Sequence, residues 1–387
     1  MRILILLLII LVFPLSGCES KKSQSSKKEI EFWTIQLTGF SDYINSIIDE
    51  YEAKHPDIKI KWVDVPFAEA EKRALAAVLS RDVPDLINMN PDFGATLASK
   101  GALLNIKPMI TQQEYKNYLE PAWHASSIDG FVFGIPWYIT SAKTFYNKKI
   151  WPNEPPKSYY ELRYIAPKIN KYVLMPSLTE NGQMLKIFNK YDIPIVNKAG
   201  NKALFNTKKA EEVLSFWKYM YDKSYIPRES ITEGHRESLE KFMAGETAFI
   251  VAGENFLNII KENSPEIYNN IGMSEQLTGS NGKADFSIMN FVIPKKSRYP
   301  QEALEFALFL TNPENQLKFS KLVAILPSTT KENQLKTSLL RPIPVLKNSK
   351  DLYEIIDYMT QEVLLGHKTP HQALDKAVEE WDKILAE

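Results

Sequence analysis

The chain contains one cysteine, Cys18, in 387 residues. An internal disulfide is therefore excluded, and the fold must be stabilised by side-chain packing. An excess of charge of one sign is also missing, because 47 lysines and arginines balance 47 aspartates and glutamates. Nucleic-acid-binding proteins normally present a basic face, so nothing in the composition favours a nucleic acid as partner.

Long apolar runs are also missing, apart from residues 3–12 near the N-terminus. This run is too short to cross a bilayer comfortably, because a spanning helix needs about 20 apolar residues. Arg2 precedes it, and the sequence Leu-Ser-Gly-Cys at 15–18 resembles the lipobox of bacterial lipoproteins. We therefore predict that residues 1–17 are a lipoprotein signal peptide and that the thiol of Cys18 carries a diacylglycerol. The alternative is an ordinary secretory signal with a cysteine there by chance.

Residues 18–28 form the predicted lipidated end and tether of the mature chain. From Glu19 to Lys28 the sequence is dominated by serine and lysine and has no apolar side chain to bury, which is typical of a flexible spacer. Several acyl chains on Cys18 would hold an otherwise soluble protein at a membrane, since each buried methylene contributes about 0.8 kcal/mol. We expect an extracytoplasmic protein, lipid-anchored to the bacterial cell membrane and touching it only through the lipid.

The remaining residues, about 370, exceed what a single core usually supports, so two domains are expected. Their first part alternates strand and helix. Strands are predicted at 29–34, from Ile58 and at 84–89, and helices at 42–54 and 68–79, from periodicities of 2 and 3.6 residues. This order predicts an α/β fold with a doubly wound sheet.

Several segments, in a fixed order, resemble the family 1 extracellular solute-binding proteins of ATP-driven importers, the group that includes maltose-binding protein. Each segment is weak by itself, but together they cover nearly all of the chain from Ile30 onwards. The segments are residues 31–34, 50–60, 84–90, 101–106, 134–137, 145–148, 242–249, 303–310 and 326–328.

The resemblance implies a type II periplasmic-binding-protein-like fold, with two discontinuous α/β lobes joined by hinge crossings. The N-lobe would comprise residues 29–138 and 292–328, and the C-lobe residues 139–291 and 329–387. The crossings would fall near 137–141, 289–293 and 327–331. The implied function is capture of a carbohydrate between the lobes and its delivery to an ABC transporter permease. The protein would act as a monomer, without a cofactor, a metal or enzymatic activity.

Candidate ligand-binding residues follow strands or lie at the crossings, because ligands of open α/β sheets bind beyond the carboxyl ends of the strands. Aromatic rings can cover the apolar face of a sugar, and carboxylate and amide groups can bind its hydroxyls. The candidates are Trp33, Gln36, Asn90, Asp92, Trp137, Tyr138, Glu254, Asn255, Phe286 and Ser287.

Structural roles compete with binding for four of these candidates. Trp33 can belong to the core, and Trp137 can pack at the hinge. Asp92 and Glu254 can each stabilise a helix N-terminus instead of contacting a ligand.

Other functions stay open beside the sugar-binding one. The protein could instead bind a non-sugar solute, such as glycerol phosphate, a polyamine or iron held by tyrosines, and would then still be a binding protein. The candidate residues include no arginine, however, which a site for an anion should contain. A secreted glycoside-acting enzyme would need a carboxylate pair, and no spacing singles one out. A surface scaffold or adhesin without a small ligand is the third class.

A chain shortened to begin at Lys27 is expected to fold and to bind its ligand in solution, because the anchor and tether lie outside the predicted lobes. Circular dichroism and thermal unfolding measure the folding, and calorimetry measures the binding. A shortened chain that fails to fold would show that the first domain begins before Lys27.

Overall fold

A computed structural model describes residues 27–66, 69–80, 82–254, 256–323, 325–330, 340–342 and 345–386. Cys18, the signal peptide and most of the tether lie outside the described residues, so lipidation stays a prediction. Lys28, expected in the tether, is the first residue of a strand. Its amide donates to the Asp57 carbonyl at 2.8 Å and its ammonium pairs with Glu302 at 2.6 Å, so Lys28 belongs to the first strand and not to the tether.

The first elements alternate as predicted. They are β1 (Lys28–Ile35), α1 (Ser41–Lys54), β2 (Ile58–Val65), α2 (Ala70–Leu79) and β3 (Leu86–Met89). Strand β1 pairs in parallel with β2 on one side and with β3 on the other, which confirms the doubly wound arrangement. Helix α1 buries Ile44, Ile47, Ile48 and Tyr51, whose spacing places them on one face of the helix.

The chain then passes from a large sheet to a small one. The elements here are α3 (Pro91–Ser99), α4 (Gln112–Tyr115), α5 (Glu120–His124), β4 (Ser127–Ile128), β5 (Phe131–Val132), β6 (Ile135–Thr140) and β7 (Lys143–Asn147). Strand β6 belongs to the large sheet and β7 to the small one. Only Ser141 and Ala142 separate them, so the first crossing lies at the end of the predicted interval.

The small sheet is antiparallel and surrounded by helices. The elements are α6 (Leu162–Ile165), α7 (Gln183–Lys190), α8 (Lys208–Asp222), α9 (His235–Met243), β8 (Phe249–Ala252), α10 (Phe256–Asn263), α11 (Pro265–Tyr268) and β9 (Ile271–Glu275). Strand β7 lies between β8 and β9. Thr207 caps α8 by accepting from the Ala210 amide at 3.1 Å.

The last part of the chain adds strands to the large sheet and helices beside both sheets. The elements are β10 (Ala284–Val292), α12 (Pro300–Leu310), α13 (Pro313–Ser320), β11 (Leu326–Pro327), β12 (Leu340–Pro342), α14 (Ser349–Leu364) and α15 (Pro370–Leu385). Within the described residues the large sheet has the order β11-β6-β10-β3-β1-β2, and β12 pairs with β10. A capping box is present at the start of α15, between Thr369 and Gln372.

The second crossing lies earlier than predicted. Residues 289–293 were expected to carry it, but Met289 and Asn290 already pair with β6, and Asn290 to Val292 also pair with β3, inside the large sheet. The chain leaves the small sheet after Glu275 and enters the large sheet from Ala284. The third predicted crossing ends at residue 331, which lies outside the described residues.

Separate apolar cores define two lobes. The large-sheet lobe consists of the large sheet with α1–α5, α12 and α13, and its core contains Phe32, Trp123 and Phe306. The small-sheet lobe consists of the small sheet with α6–α11, α14 and α15, and its largest cluster contains Trp217 and Trp381. None of the helices in the described part of the chain combines the length and apolar character that a membrane span requires.

The core of the large-sheet lobe includes Trp137, a residue predicted to contact the ligand. Its side chain is only 1% exposed, and its ring centroid lies 4.5 Å from that of Phe291 and 5.2 Å from that of Phe319. Tyr138 also packs against this core and against Phe319. Trp137 and Tyr138 are therefore packing residues of β6, because both rings contact the aromatic core of this lobe.

Replacing Trp137 with alanine is expected to lower the free energy of unfolding by about 3–5 kcal/mol, because a large buried ring is lost and leaves a cavity. Trp137→Phe retains most of the apolar volume and should cost less. Denaturant unfolding of both variants measures the difference. A Trp137→Ala protein of unchanged stability but weaker ligand binding would contradict this prediction and indicate that Trp137 contacts the ligand.

Candidate functional site

A cavity of about 440 Å³ lies where the crossings meet the small-sheet lobe. One wall is formed by residues of the crossing segments, namely Thr140, Ser141, Ala142, Asp285, Phe286 and Ser287. The opposite wall comes from α7, from the loop before it, and from the start of α9. The volume falls within the range of small-molecule sites in proteins.

Phe286 and Ser287, both predicted as ligand residues, lie at this cavity. Phe286 is 4% exposed and packs with Ile139 and Ile288, so only a small part of its ring faces the cavity. Ser287 is exposed and presents a hydroxyl. The two residues together offer apolar surface and one hydrogen-bonding group.

Helix α7 supplies a polar face to the cavity. Gln183, Lys186 and Lys190 line it at spacings of three and four residues, which bring side chains to one face of a helix. The preceding Gly182 has a φ of +63°, in the left-handed region that glycine adopts without strain. This turn sets the direction in which α7 enters the site.

Lys190 is a buried ammonium that binds the crossing strand. Its Nζ lies 3.1 Å from Asp285 Oδ1 and donates to the Leu277 carbonyl at 2.9 Å and to Gln276 Oε1. Burial lowers the pKa of Lys190, and the carboxylate of Asp285 raises it again. These three acceptors match the three hydrogens of the ammonium, so Lys190 holds β10 to α7 instead of contacting a ligand.

Gln276 and Ser141 extend this contact to both crossing segments. The Asp285 amide donates to Gln276 Oε1 at 3.0 Å, and the Ser141 hydroxyl donates to the Asp285 carbonyl at 3.3 Å. The two crossing segments are thus hydrogen-bonded to each other, and the second one is also bonded to the small-sheet lobe.

Glu180 and His235 form the far wall of the cavity. The His235 amide donates to Glu180 Oε2 at 2.8 Å, and the imidazole packs edge-on against Phe256 at 5.0 Å. Burial lowers the pKa of His235, the carboxylate of Glu180 raises it in part, and the charge of Lys186 lowers it again. The imidazole is therefore neutral near pH 7, and a neutral imidazole can both donate and accept a hydrogen bond.

A second, much smaller hollow of about 20 Å³ lies at the carboxyl ends of β1 and β3 in the large-sheet lobe. Trp33 and Asn90, both predicted as ligand residues, line it. The indole of Trp33 donates to Glu31 Oε1 at 2.7 Å, and the Arg73 guanidinium lies 5.4 Å above its ring. Trp33 therefore stands at the predicted edge of the sheet, with one polar and one cationic partner.

The cap of α3 is Asn90, whereas Asp92 was considered for this role. Asn90 Oδ1 accepts from the Phe93 amide at 2.8 Å, and its amide nitrogen donates to Glu71 at 3.2 Å. Asp92 lies in the first turn of α3 and accepts from the hydroxyl of Tyr353, in α14 of the other lobe. The carboxylate of Asp92 is thus part of a contact between the lobes.

The remaining candidates lie elsewhere. Gln36 is exposed in the turn after β1, with a φ of +52°. Glu254 directly follows Gly253, a residue of the cavity wall, and its carbonyl accepts from the Leu257 amide at 3.0 Å. Asn255 lies outside the described residues.

None of the residues predicted from the sequence belongs to the wall that the small-sheet lobe provides. Ser177, Glu180, Gln183, Lys186 and His235 line the cavity from a loop and from helices, whereas the candidates were sought at strand ends and crossings. The polar residues at positions 183, 186 and 190, spaced by three and four residues in α7, are the one signal that was available in the sequence.

Similarity to known proteins shows the family to which the chain belongs. The chain matches the family described as bacterial extracellular solute-binding protein over residues 46–339 and therefore belongs to this family. The family consists of binding proteins, and the two-lobed α/β architecture with a cavity at the crossings agrees with it.

Individual relatives differ in the solute that their names give. An sn-glycerol-3-phosphate-binding periplasmic protein of Pectobacterium atrosepticum is 23% identical over 92% of this chain and 91% of its own. A galactooligosaccharide-binding protein of Bacillus subtilis is 22% identical over 93% of this chain and 91% of its own. The solved structure of the sugar-binding protein MalE from Xanthomonas citri is 21% identical, with a TM-score of 0.77 over 93% of this chain and 98% of its own. That structural likeness confirms the fold.

Asp357 of α14 is a carboxyl group whose environment disfavours its charge. Its Oδ1 accepts from the Gly182 amide at 3.1 Å. Burial raises the pKa of Asp357 to about 7, although the Gly182 hydrogen bond and the charge of Lys186 lower it in part.

The contribution of Asp357 to the stability of the protein should therefore fall as the pH rises from about 3.8, the ordinary pKa of an aspartate, to about 7. In this window the unfolded chain has lost a proton that the folded chain keeps at Asp357. Asp357→Asn retains the acceptor oxygen and removes the charge, so it should flatten this part of the curve and be no less stable than the wild type above pH 7. Asp351→Asn, at an exposed position of the same helix, is the control. Parallel curves for all three proteins would contradict the prediction.

Proposed function

We propose that the protein is the substrate-binding lipoprotein of an ABC importer, which captures a mono- or oligosaccharide between its lobes and delivers it to the membrane permease. The cavity at the crossings is the observation that carries this proposal. Its wall alternates hydroxyl, amide and imidazole groups with apolar patches from Met175, Val251 and Phe286. Such a mixture suits a ligand that has both hydroxyl groups and C–H faces.

The charges around the cavity favour a neutral ligand. Lys190 is paired with Asp285. Burial raises the pKa of Asp92 and of Asp357, and the charge of Lys186 opposes this shift at both, so its charge already faces two carboxyl groups. Glu180 adds a further carboxylate to the wall. A phosphate group in this cavity would meet at least as many anions as cations.

The binding groups that we propose combine predicted and newly found residues. Phe286 and Ser287 act from the crossing, and Trp33 and Asn90 from the large-sheet lobe. Gln183, Lys186 and His235 act from the small-sheet lobe. A ligand that contacts both lobes favours their closed arrangement, because only a difference in affinity between two states shifts their populations.

A glycerol phosphate is the second candidate ligand. Within the described residues Lys186 has no carboxylate within ion-pair distance, and a lysine ammonium is a suitable partner for a phosphate. The glycerol-phosphate-binding relative supports this candidate at 23% identity. Lys186→Gln separates the two ligands, because it should abolish phosphate binding and weaken sugar binding only moderately.

A panel of sugars, together with sn-glycerol 3-phosphate and a polyamine, should identify the ligand through a rise in melting temperature. A ligand that binds only the folded state adds RT ln(1 + [L]/Kd) to its stability. Gln183→Ala should weaken binding of the responding sugar by about 0.5–1.5 kcal/mol through loss of a hydrogen bond.

Gln301→Ala, on the exposed face of α12, is the matched control for that variant. A shift with the phosphate or the polyamine and with none of the sugars would contradict the carbohydrate proposal. Turnover of a reporter glycoside that is lost with Glu180→Gln would instead indicate an enzyme.

A further inference from the structure

The two lobes meet in a hydrogen bond that is separate from the cavity. Asp92 lies in α3 of the large-sheet lobe and Tyr353 in α14 of the small-sheet lobe. The Tyr353 hydroxyl lies 3.2 Å from each carboxylate oxygen of Asp92. Neither residue belongs to the described lining of the 440 Å³ cavity, so a ligand held there need not contact them.

The donor is held rigidly within its own lobe. Tyr353 is 9% exposed, and its ring belongs to the helical core of the small-sheet lobe. The ring also lies against Gly182, where an added Cβ would come within 2.5 Å of Tyr353 Cδ1. One helical turn after Tyr353, Asp357 accepts from the Gly182 amide at 3.1 Å and fixes the same turn. The hydroxyl is therefore directed at the other lobe before any contact forms.

The acceptor is positioned by the start of α3. Asn90 caps this helix and Pro91 occupies its first turn, so the backbone at Asp92 is fixed. A carboxylate is stabilised near a helix N-terminus by the aligned peptide dipoles. Burial raises the pKa of Asp92, whereas the Lys186 ammonium from the opposite lobe and the Tyr353 hydroxyl oppose this shift by favouring the ionised carboxylate. A hydrogen bond to an ionised acceptor is stronger than one between neutral groups.

We propose that the Asp92–Tyr353 hydrogen bond is a latch that holds the two lobes closed, and that it sets ligand affinity without contacting the ligand. The inference rests on the proposed function only in that the lobes open and close around a solute. Separation of the lobes breaks the bond and returns both groups to water. A lower population of the closed form reduces the apparent affinity in the same proportion.

Tyr353→Phe is the principal test, because it removes one hydroxyl and keeps the packed ring. Loss of a hydrogen bond to a charged acceptor should shift the equilibrium about tenfold to a hundredfold towards the open form. Small-angle X-ray scattering of the ligand-free protein should then give a larger radius of gyration than for the wild type. Asp92→Ala removes the other partner and should give the same increase, and the double variant should add nothing further.

Tyr118→Phe is the matched control. Its hydroxyl hydrogen-bonds to Thr311 Oγ1 at 2.6 Å entirely inside the large-sheet lobe, so its loss should lower the melting temperature without enlarging the particle. Equal radii for the wild type and Tyr353→Phe would overturn the latch, and so would an equal increase in Tyr118→Phe. If Tyr353→Phe fails to fold, the radius of gyration of ligand-free Asp92→Ala, compared with that of the wild type, tests the latch instead. The measurement uses no ligand, so its outcome is independent of whether the sugar panel succeeds.

Discussion

The buried pair of Lys190 and Asp285 is the interaction on which the arrangement of the lobes depends. It joins α7, a helix of the small-sheet lobe, to β10, the strand that lies between β6 and β3 in the large sheet. A buried ion pair gains little over apolar packing, but removal of one partner leaves an uncompensated charge. The cost of separating this pair keeps the crossing strand in one position relative to α7, and the polar face of α7 is therefore always presented to the same cavity.

The charged groups near the cavity also interact with other groups of the protein. The buried ammonium of Lys190 has three acceptors from the protein, and the charge of Lys186 acts on carboxyl groups from both lobes. The groups left to a solute are mostly neutral donors and acceptors together with apolar patches. Selectivity in such a site arises from the positions of hydrogen-bonding groups, since an analogue that leaves a buried polar group unpaired binds less well.

Much of the fold could be predicted from the sequence, because its signals are local. The apolar spacing of α1, the proline and capping box of α15 and the alternation of strand and helix in the first ninety residues all agree with the structure. The site was harder to predict, because side-chain direction in β6 depends on its neighbours. Trp137 points into the aromatic core beside Phe291 and Phe319, residues more than 150 positions away. The pairing of Asp92 with Tyr353 spans 261 positions and has no local signal at all.

The position of β10 in the large sheet also has a consequence for how the chain is made. Its neighbours β3 and β6 are complete once Thr140 has been synthesised, whereas β10 begins only at Ala284. Until then both strands expose unpaired backbone edges, which are templates for association with other chains. Pairing across so long a separation is also slow. The growing chain is therefore most vulnerable to aggregation before its second half has been synthesised.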